Sequence, residues 1–223
     1  MFALTKVLRP AALIRLARPA FISSNLKELE TDLSKTLKTE FEGEEADEER
    51  EKFIRDFLKD KKWRIETSDD STRVVLSKQE NGHSIRVIYD AKLPENEDQA
   101  EEGQKNEEGE GDQNYTEFVV VVDKKKPQKM LIDVIAVDGE INVNGIIFSA
   151  EADKLAERKT VESFPYNGPS FETLEEGLQQ KISKYIEGLG INEELAHFIE
   201  ETSIHHEAKL YKGFLQQFRE FVE

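Results

Sequence analysis

Residues 171–222 close the chain with two sets of apolar side chains at helical spacing. Leu174, Leu178, Ile182, Tyr185, Ile186 and Leu189 form the first set. Leu195, Phe198, Ile199, Tyr211, Phe214, Leu215, Phe218 and Val222 form the second. Steps of three and four put each set on one face of a helix. Between them Gly188-Leu189-Gly190 reads as a helix stop. Asn192 is a good N-cap, and Glu193 and Glu194 suit the positive end of a helix that starts there. Two closing helices are therefore predicted, each with an apolar face in need of a partner. Phe218 belongs to the second face, and if its ring is fully buried its truncation to alanine should cost about 3–5 kcal/mol. No nucleophile is paired with a base in this stretch and no ligand cluster is evident, so it reads as architecture and assembly.

The partner surface lies upstream, in a ladder of strands. Trp63 and Ile65 alternate with polar residues, and Val74 and Leu76 fall on one face with Val75 on the other. Asn81-Gly82 is a strong hairpin signal. Ile85, Val87 and Tyr89 then share a face. The run Phe118-Val119-Val120-Val121-Val122, the basic turn 124–129, a strand over 130–137, a tight turn at Asp138-Gly139 and a return strand over 141–148 continue the meander. Asn144-Gly145 suggests a bulge. A charged link follows, and a further short strand is expected around 164–166. Several strands are apolar on both faces, so helices or neighbouring subunits must cover both. Upstream of the ladder, residues 25–62 read as helical. Leu26, Leu29, Leu33 and Leu37 step along one face, as do Phe53, Ile54, Phe57 and Leu58, with the acidic patch 41–51 interrupting them at Gly43.

The first 22 residues differ from the rest. They carry Lys6, Arg9, Arg15 and Arg18 and no acid, the pattern of an organelle transit peptide. The whole chain has a net charge of −16, from 31 basic and 47 acidic residues. Loss of residues 1–22 would leave 27 basic residues against 47 acidic ones, a net −20. Such a surface is a poor direct partner for nucleic acid and a good one for basic proteins. No run approaches the roughly 20 apolar residues of a membrane helix. The absence of cysteine removes disulfides and thiolate chemistry. Residues 93–114 hold nine acids and one lysine, a composition that cannot bury enough apolar surface to order itself. They are expected to form a mobile acidic loop between two strands.

Taken together, the arginine-rich leader, WRIETSDDSTRVVLSKQENGHSIRVIYD (63–90), the acidic segment, NYTEFVVVVDK (114–124), YNGPSFETLEEGLQQKISKYIEGLGINEELAHFIEE (166–201) and LQQFREFVE (215–223) resemble the mitochondrial acidic matrix protein family, also called the mitochondrial glycoprotein family. The order of elements carries the likeness, which spans essentially the whole chain. The resemblance implies an α+β fold. Its seven-stranded, strongly twisted antiparallel sheet is flanked by one N-terminal and two C-terminal helices, in one domain over 23–223. It further implies a ring-shaped homotrimer in the mitochondrial matrix. It implies no catalytic residues and no cofactor. The implied function is a non-enzymatic acidic scaffold or chaperone that binds basic proteins such as mitochondrial ribosomal proteins and supports ribosome assembly, translation and oxidative phosphorylation. An accessory or regulatory subunit of an RNA-processing or respiratory enzyme complex is the alternative.

The candidate protein-binding residues are the acids of the two dense segments. They are Glu44, Glu45, Asp47, Glu48 and Glu49 in the first, and Glu95, Glu97, Asp98, Glu101, Glu102, Glu107, Glu108, Glu110 and Asp112 in the second. Exposed like charges steer basic partners and raise encounter rates, and several copies add avidity. His197, Glu201, His205, His206 and Glu207 read as ordinary helix residues rather than a metal site, which needs three or four converging ligands. No calcium loop and no nucleophile elbow occurs. The sequon Asn114-Tyr115-Thr116 reads as chance.

Overall fold

A computed structural model describes residues 26–44, 47–67, 71–91, 115–137, 139–157, 166 and 168–223. The expected leader 1–22, the acidic segment 93–114 and most of the expected strand at 164–166 lie outside them. Two helices lead, α1 (Leu26–Gly43) and α2 (Glu48–Lys61). Six strands follow: β1 (Arg64–Ile65), β2 (Arg73–Glu80), β3 (His83–Asp90), β4 (Tyr115–Asp123), β5 (Lys129–Val137) and β6 (Glu140–Ser149). After them come α3 (Ala152–Ala156), α4 (Glu176–Gly188) and α5 (Glu193–Val222). The fold is α+β, and the strands form an antiparallel meander in sequence order. The described residues thus hold six strands where the resemblance implies seven, and two N-terminal helices where it implies one.

Register sets the core. Leu76 pairs with Val87, Val87 with Val120, Val120 with Ile132 and Ile132 with Ile146, so one apolar row crosses five strands. The first four are fully buried. A slip of one residue would turn this row to the opposite face, which is how the hydrophobic pattern fixes the pairing. The β2–β3 turn is Asn81-Gly82, both with positive φ (51° and 78°), the geometry of a two-residue hairpin that asparagine and glycine tolerate best. Between Asp133 and Val134 the pairing jumps from Gly145 to Val143, so Asn144 is the extra residue of a bulge.

Helices cover this face. Phe53, Ile54, Phe57 and Leu58 of α2, Ile182 and Ile186 of α4, and Leu195, Phe198 and Ile199 of α5 all join its core. Phe198 is fully buried, and its ring stacks on Phe57 with centroids 4.1 Å apart. Complete burial of such a side chain contributes about 1.5–3 kcal/mol. The α4–α5 corner forms as its residues dictate. Gly190 (φ 84°) ends α4, the Gly190 amide donates to the Glu187 carbonyl at 2.8 Å, and Asn192 Oδ1 accepts from the Leu195 amide at 3.1 Å.

The second face corrects the reading of residues after β6 as a plain charged link. There α3 lays Ala152 and Ala156 against Ile88, Val121 and Leu131. Asp153 ties this helix down by hydrogen-bonding Arg86 of β3 and, at 2.5 Å, Lys129 of β5. Burial pushes the Asp153 carboxyl upward, but the hydrogen bond from Lys129 and the charge of Arg86 outweigh it, and the net displacement is downward. A second correction concerns Trp63 and Ile65. Trp63 is buried ahead of the strand, with Lys78 Nζ 5.2 Å from its ring centroid, whereas Ile65 is exposed. The expectation of a buried Phe218 also fails: the ring is 36% exposed.

Candidate functional site

The described part of the acidic surface is the junction between α1 and α2. Gly43 is the last residue of α1, and Asp47 caps α2, its Oδ1 accepting from the Arg50 amide at 2.9 Å. Glu48, Glu49 and Glu51 occupy the first turn of α2, where the helix dipole favours negative charge. The same preference explains why so many acids can gather here without unwinding the helix.

Of the candidate binding residues, Asp47, Glu48 and Glu49 are exposed and Glu44 is half-buried. Their roles differ. Asp47 is partly engaged by Arg50, whose guanidinium also reaches Glu201 of α5 at 2.7 Å and so anchors α2 to that helix. Among the described residues Glu48 and Glu49 enter no ion pair, and they face solvent. Glu44 is half-buried, and Lys212 Nζ donates to its backbone carbonyl at 2.6 Å. Its side chain lies near Glu207, whose carboxyl is pushed upward first by burial and then by the charge of Glu44. The junction therefore has an outward pair suited to attracting a cation and a half-buried residue whose backbone carbonyl joins the contact between α1 and α5. Glu45 and the nine acids of 93–114 lie outside the described residues.

The histidine cluster resolves into structural roles. His206 Nε2 donates to the Ser71 carbonyl at 2.7 Å, tying α5 to the segment before β2. Glu201 is held by Arg50, and His197 packs on Phe53 with ring centroids 5.2 Å apart. Among the described residues no three carboxylate or imidazole groups converge as a metal site. One buried polar pair is prominent: the Tyr89 hydroxyl lies 2.6 Å from Thr202 Oγ1. Since Thr202 itself donates to the Phe198 carbonyl at 2.7 Å, Tyr89 is the donor in that pair. Burial pushes the Tyr89 phenol well up, which suits a fixed donor.

Two surfaces were not legible as sites in the sequence. The first is apolar. Leu26, Leu29 and Leu33 of α1 and Phe214, Phe218 and Phe221 of α5 are all substantially exposed. The helical spacing of all but Phe221 is plain in the sequence, but periodicity does not say whether a face is covered within the chain. The second is the basic β4–β5 turn, whose Lys124 approaches Tyr185 of α4. The lysine run was visible, whereas its helical neighbours could emerge only from the fold. No helix of the described residues is long and apolar enough to cross a membrane.

Comparison with known proteins places this geometry. The p22 protein of Trypanosoma brucei superposes with a TM-score of 0.63 at 19% identity, over 88% of this chain and 100% of that one. A Leishmania major protein of unknown function, a sequence homologue of human p32, gives 0.63 at 20% identity, over 87% and 99%. At such identities the likeness is one of fold. In sequence, the mitochondrial acidic protein mam33 of Schizosaccharomyces pombe is 26% identical over 182 residues, 71% of this chain and 67% of its own. An uncharacterised mitochondrial protein of Arabidopsis thaliana is 24% identical over 161 residues, 72% of this chain and 62% of its own. The chain thus spans about two thirds of the length of the curated relatives it matches. The MAM33 family, described as mitochondrial glycoprotein, matches residues 33–222, from within α1 to the last residue of α5. A match that takes in the acidic junction, the whole sheet and both closing helices makes this chain a member of the MAM33 mitochondrial glycoprotein family.

Proposed function

We propose that the protein is a non-enzymatic acidic scaffold or chaperone of the mitochondrial matrix. It binds basic proteins, mitochondrial ribosomal proteins among them, and through them supports ribosome assembly, translation and respiratory function. The observation that carries the reading is the outward acidic junction, Asp47 with Glu48 and Glu49, in a chain of net charge −16. The mitochondrial relatives and the acid-free, arginine-bearing first 22 residues support the location. Charge of this kind acts mainly on encounter, so association with a basic client should slow with salt more than dissociation quickens. The Debye length falls from about 10 Å at 0.1 M salt to about 3 Å at 1 M.

The test is a binding titration of a basic ribosomal protein against the wild-type chain, a variant lacking residues 95–112 and the E48Q/E49Q variant, at low and high salt. Weakened binding by both variants at low salt, with little difference at high salt, is the expected result. Equal affinity of all three at low salt would remove the acidic surface from client binding.

The assembly belongs to the same proposal. Leu26, Leu29 and Leu33 of α1 and Phe214, Phe218 and Phe221 of α5, two helices that pack on each other, are all exposed, more large apolar side chains than scattered surface residues explain. The exposure of these side chains is what supports a ring-shaped homotrimer, in which a neighbouring copy would cover them. Light scattering of the chain should give three times the monomer mass, and a monomer mass would reject the assembly without touching the client-binding reading.

A further inference from the structure

The chain carries a compact basic patch that its acidic character hides. Lys124, Lys125 and Lys126 occupy the exposed turn between β4 and β5. Lys124 Nζ lies 4.8 Å from the centroid of the Tyr185 ring on α4. Lys181 lies one helical turn before Tyr185 on its side of α4, and Lys184, three residues after Lys181, flanks it; both lysines are exposed. Among the described residues none of the five lysines enters an ion pair. The acid of the turn is already engaged: Asp123 accepts from the Lys125 amide at 2.6 Å and pairs with Lys129 at 3.2 Å. Lys125 also holds a φ of 58°, a left-handed conformation in which a lysine is uncommon and glycine or asparagine would be easier. Beside the cations, Tyr185 and Leu178 lie two turns apart on one side of α4 and are 39% and 44% exposed, while Ile186 and Leu189 turn inward to the core.

We propose that this patch docks the protein on an anionic lipid surface, with α4 lying along the membrane plane. A helix that anchors its own apolar face in the core and shows lysines with a tyrosine and a leucine at the margin has the chemistry of the headgroup boundary. There ammonium groups meet phosphates, and an amphipathic ring and an aliphatic side chain sit just below. A flat surface also suits the charge distribution. It faces only the patch, and at physiological ionic strength charges more than about 8 Å away are largely screened. A long polyanion such as RNA would have to run past the acidic remainder of the chain. Each lysine close to an anionic membrane strengthens partitioning roughly fivefold, so five acting together suffice without a deep insertion.

Co-sedimentation with vesicles tests this directly. The full chain should sediment with vesicles of phosphatidylcholine mixed with phosphatidylglycerol, and not with phosphatidylcholine alone. Replacing all five lysines by glutamine should weaken the partitioning at least about tenfold. The K27Q/K35Q/K38Q variant, altered on α1, should retain it. Circular dichroism verifies folding, and if the five-site variant fails that check, K126E/K184E gives the same reading from two exposed positions. L178S/Y185S should lower binding while leaving its salt dependence in place. Wild-type protein that stays in the supernatant with anionic vesicles would overturn the proposal, as would lysine variants that sediment equally. Loss of labelled single-stranded RNA binding in the lysine variants, with no vesicle binding by any protein, would overturn it too and assign the patch to nucleic acid.

Discussion

The two halves of α5 carry the same kind of apolar spacing and meet different fates. From Leu195 to His206 the helix lies on the sheet: Leu195, Phe198 and Ile199 are fully buried, and Thr202, Ser203 and His206 are buried with their hydrogen bonds made. Beyond His206 the helix leaves the sheet and packs antiparallel on α1. The contacts run from Glu44 with Lys212, through Glu40 with Tyr211, to Ser34 with Glu223. Of the large apolar residues in this half only Leu215 is buried, and Phe214, Phe218 and Phe221 reach solvent. An amphipathic stripe states that a face must be covered. Whether the cover comes from the same chain depends on how far the sheet extends beneath a helix of 30 residues, and about 45 Å of helix outruns it.

Phe198→Ala should have the largest effect. The ring is fully buried among Phe53, Phe57 and the sheet core, so its loss leaves a cavity that the strands cannot close, and about 3–5 kcal/mol of stability should go. Chemical denaturation gives the value, and a loss under about 1 kcal/mol would mean that the first half of α5 is not anchored as described. Tyr89→Phe comes next. Removing the hydroxyl leaves Thr202 still donating to Phe198, so only one buried hydrogen bond is lost and about 1 kcal/mol should follow. A loss of several kcal/mol would instead place the hydroxyl in a wider buried network.

Phe218→Ala breaks the comparison from the other side. With the ring 36% exposed and tilted against Phe214 at 5.8 Å, it should cost about 1 kcal/mol of folding stability, well short of the value for a buried ring. If the exposed apolar side chains of α1 and α5 form an interface between copies, the same substitution should shift assembly far more than folding. Light scattering over a dilution series separates the two. Equal effects of Phe198→Ala and Phe218→Ala on the denaturation midpoint would erase the distinction between the halves.

This division also marks where sequence reading reached its end. Asn81-Gly82, Asn144-Gly145, Gly188-Leu189-Gly190 and Asn192 specify backbone geometry through their own chemistry, and all four appear as hairpin, bulge, stop and cap. Alternation likewise placed Val74 and Leu76 opposite Val75. By contrast α3 is five residues long with alanine as its core contact, too short for a period and too small for a hydrophobic signal. In the acidic junction composition was enough to mark Glu48 and Glu49, because charge in a capped first turn stays outside. It could not separate them from Glu44, which is half-buried beside Lys212 and Glu207, more than 160 residues away in the chain. The basic patch failed to register for the same reason, its two parts lying on elements that only the fold brings together.

The smallest expected effect is electrostatic and lies where α5 leaves the sheet. Glu207 is raised above an ordinary glutamate by burial and by the charge of Glu44. The folded state therefore holds its proton to higher pH than the unfolded state, whose glutamates titrate near about 4.3. Stability then falls as pH rises from that value through the folded-state pKa, and above it the ionised carboxylate imposes its full penalty. Glu207→Gln removes both the desolvated charge and the repulsion from Glu44 while keeping the shape of the side chain. Because the site is only half-buried, solvent screening keeps the gain small, some tenths of a kcal/mol at pH 7. The gain should vanish near about pH 3, well below the unfolded value, where Glu207 is protonated in both states. Paired denaturation curves at the two pH values provide the measurement. A variant less stable than wild type at pH 7 would mean that ionised Glu207 is held by a cation and that the second half of α5 is locked to α1 by charge as well as by packing.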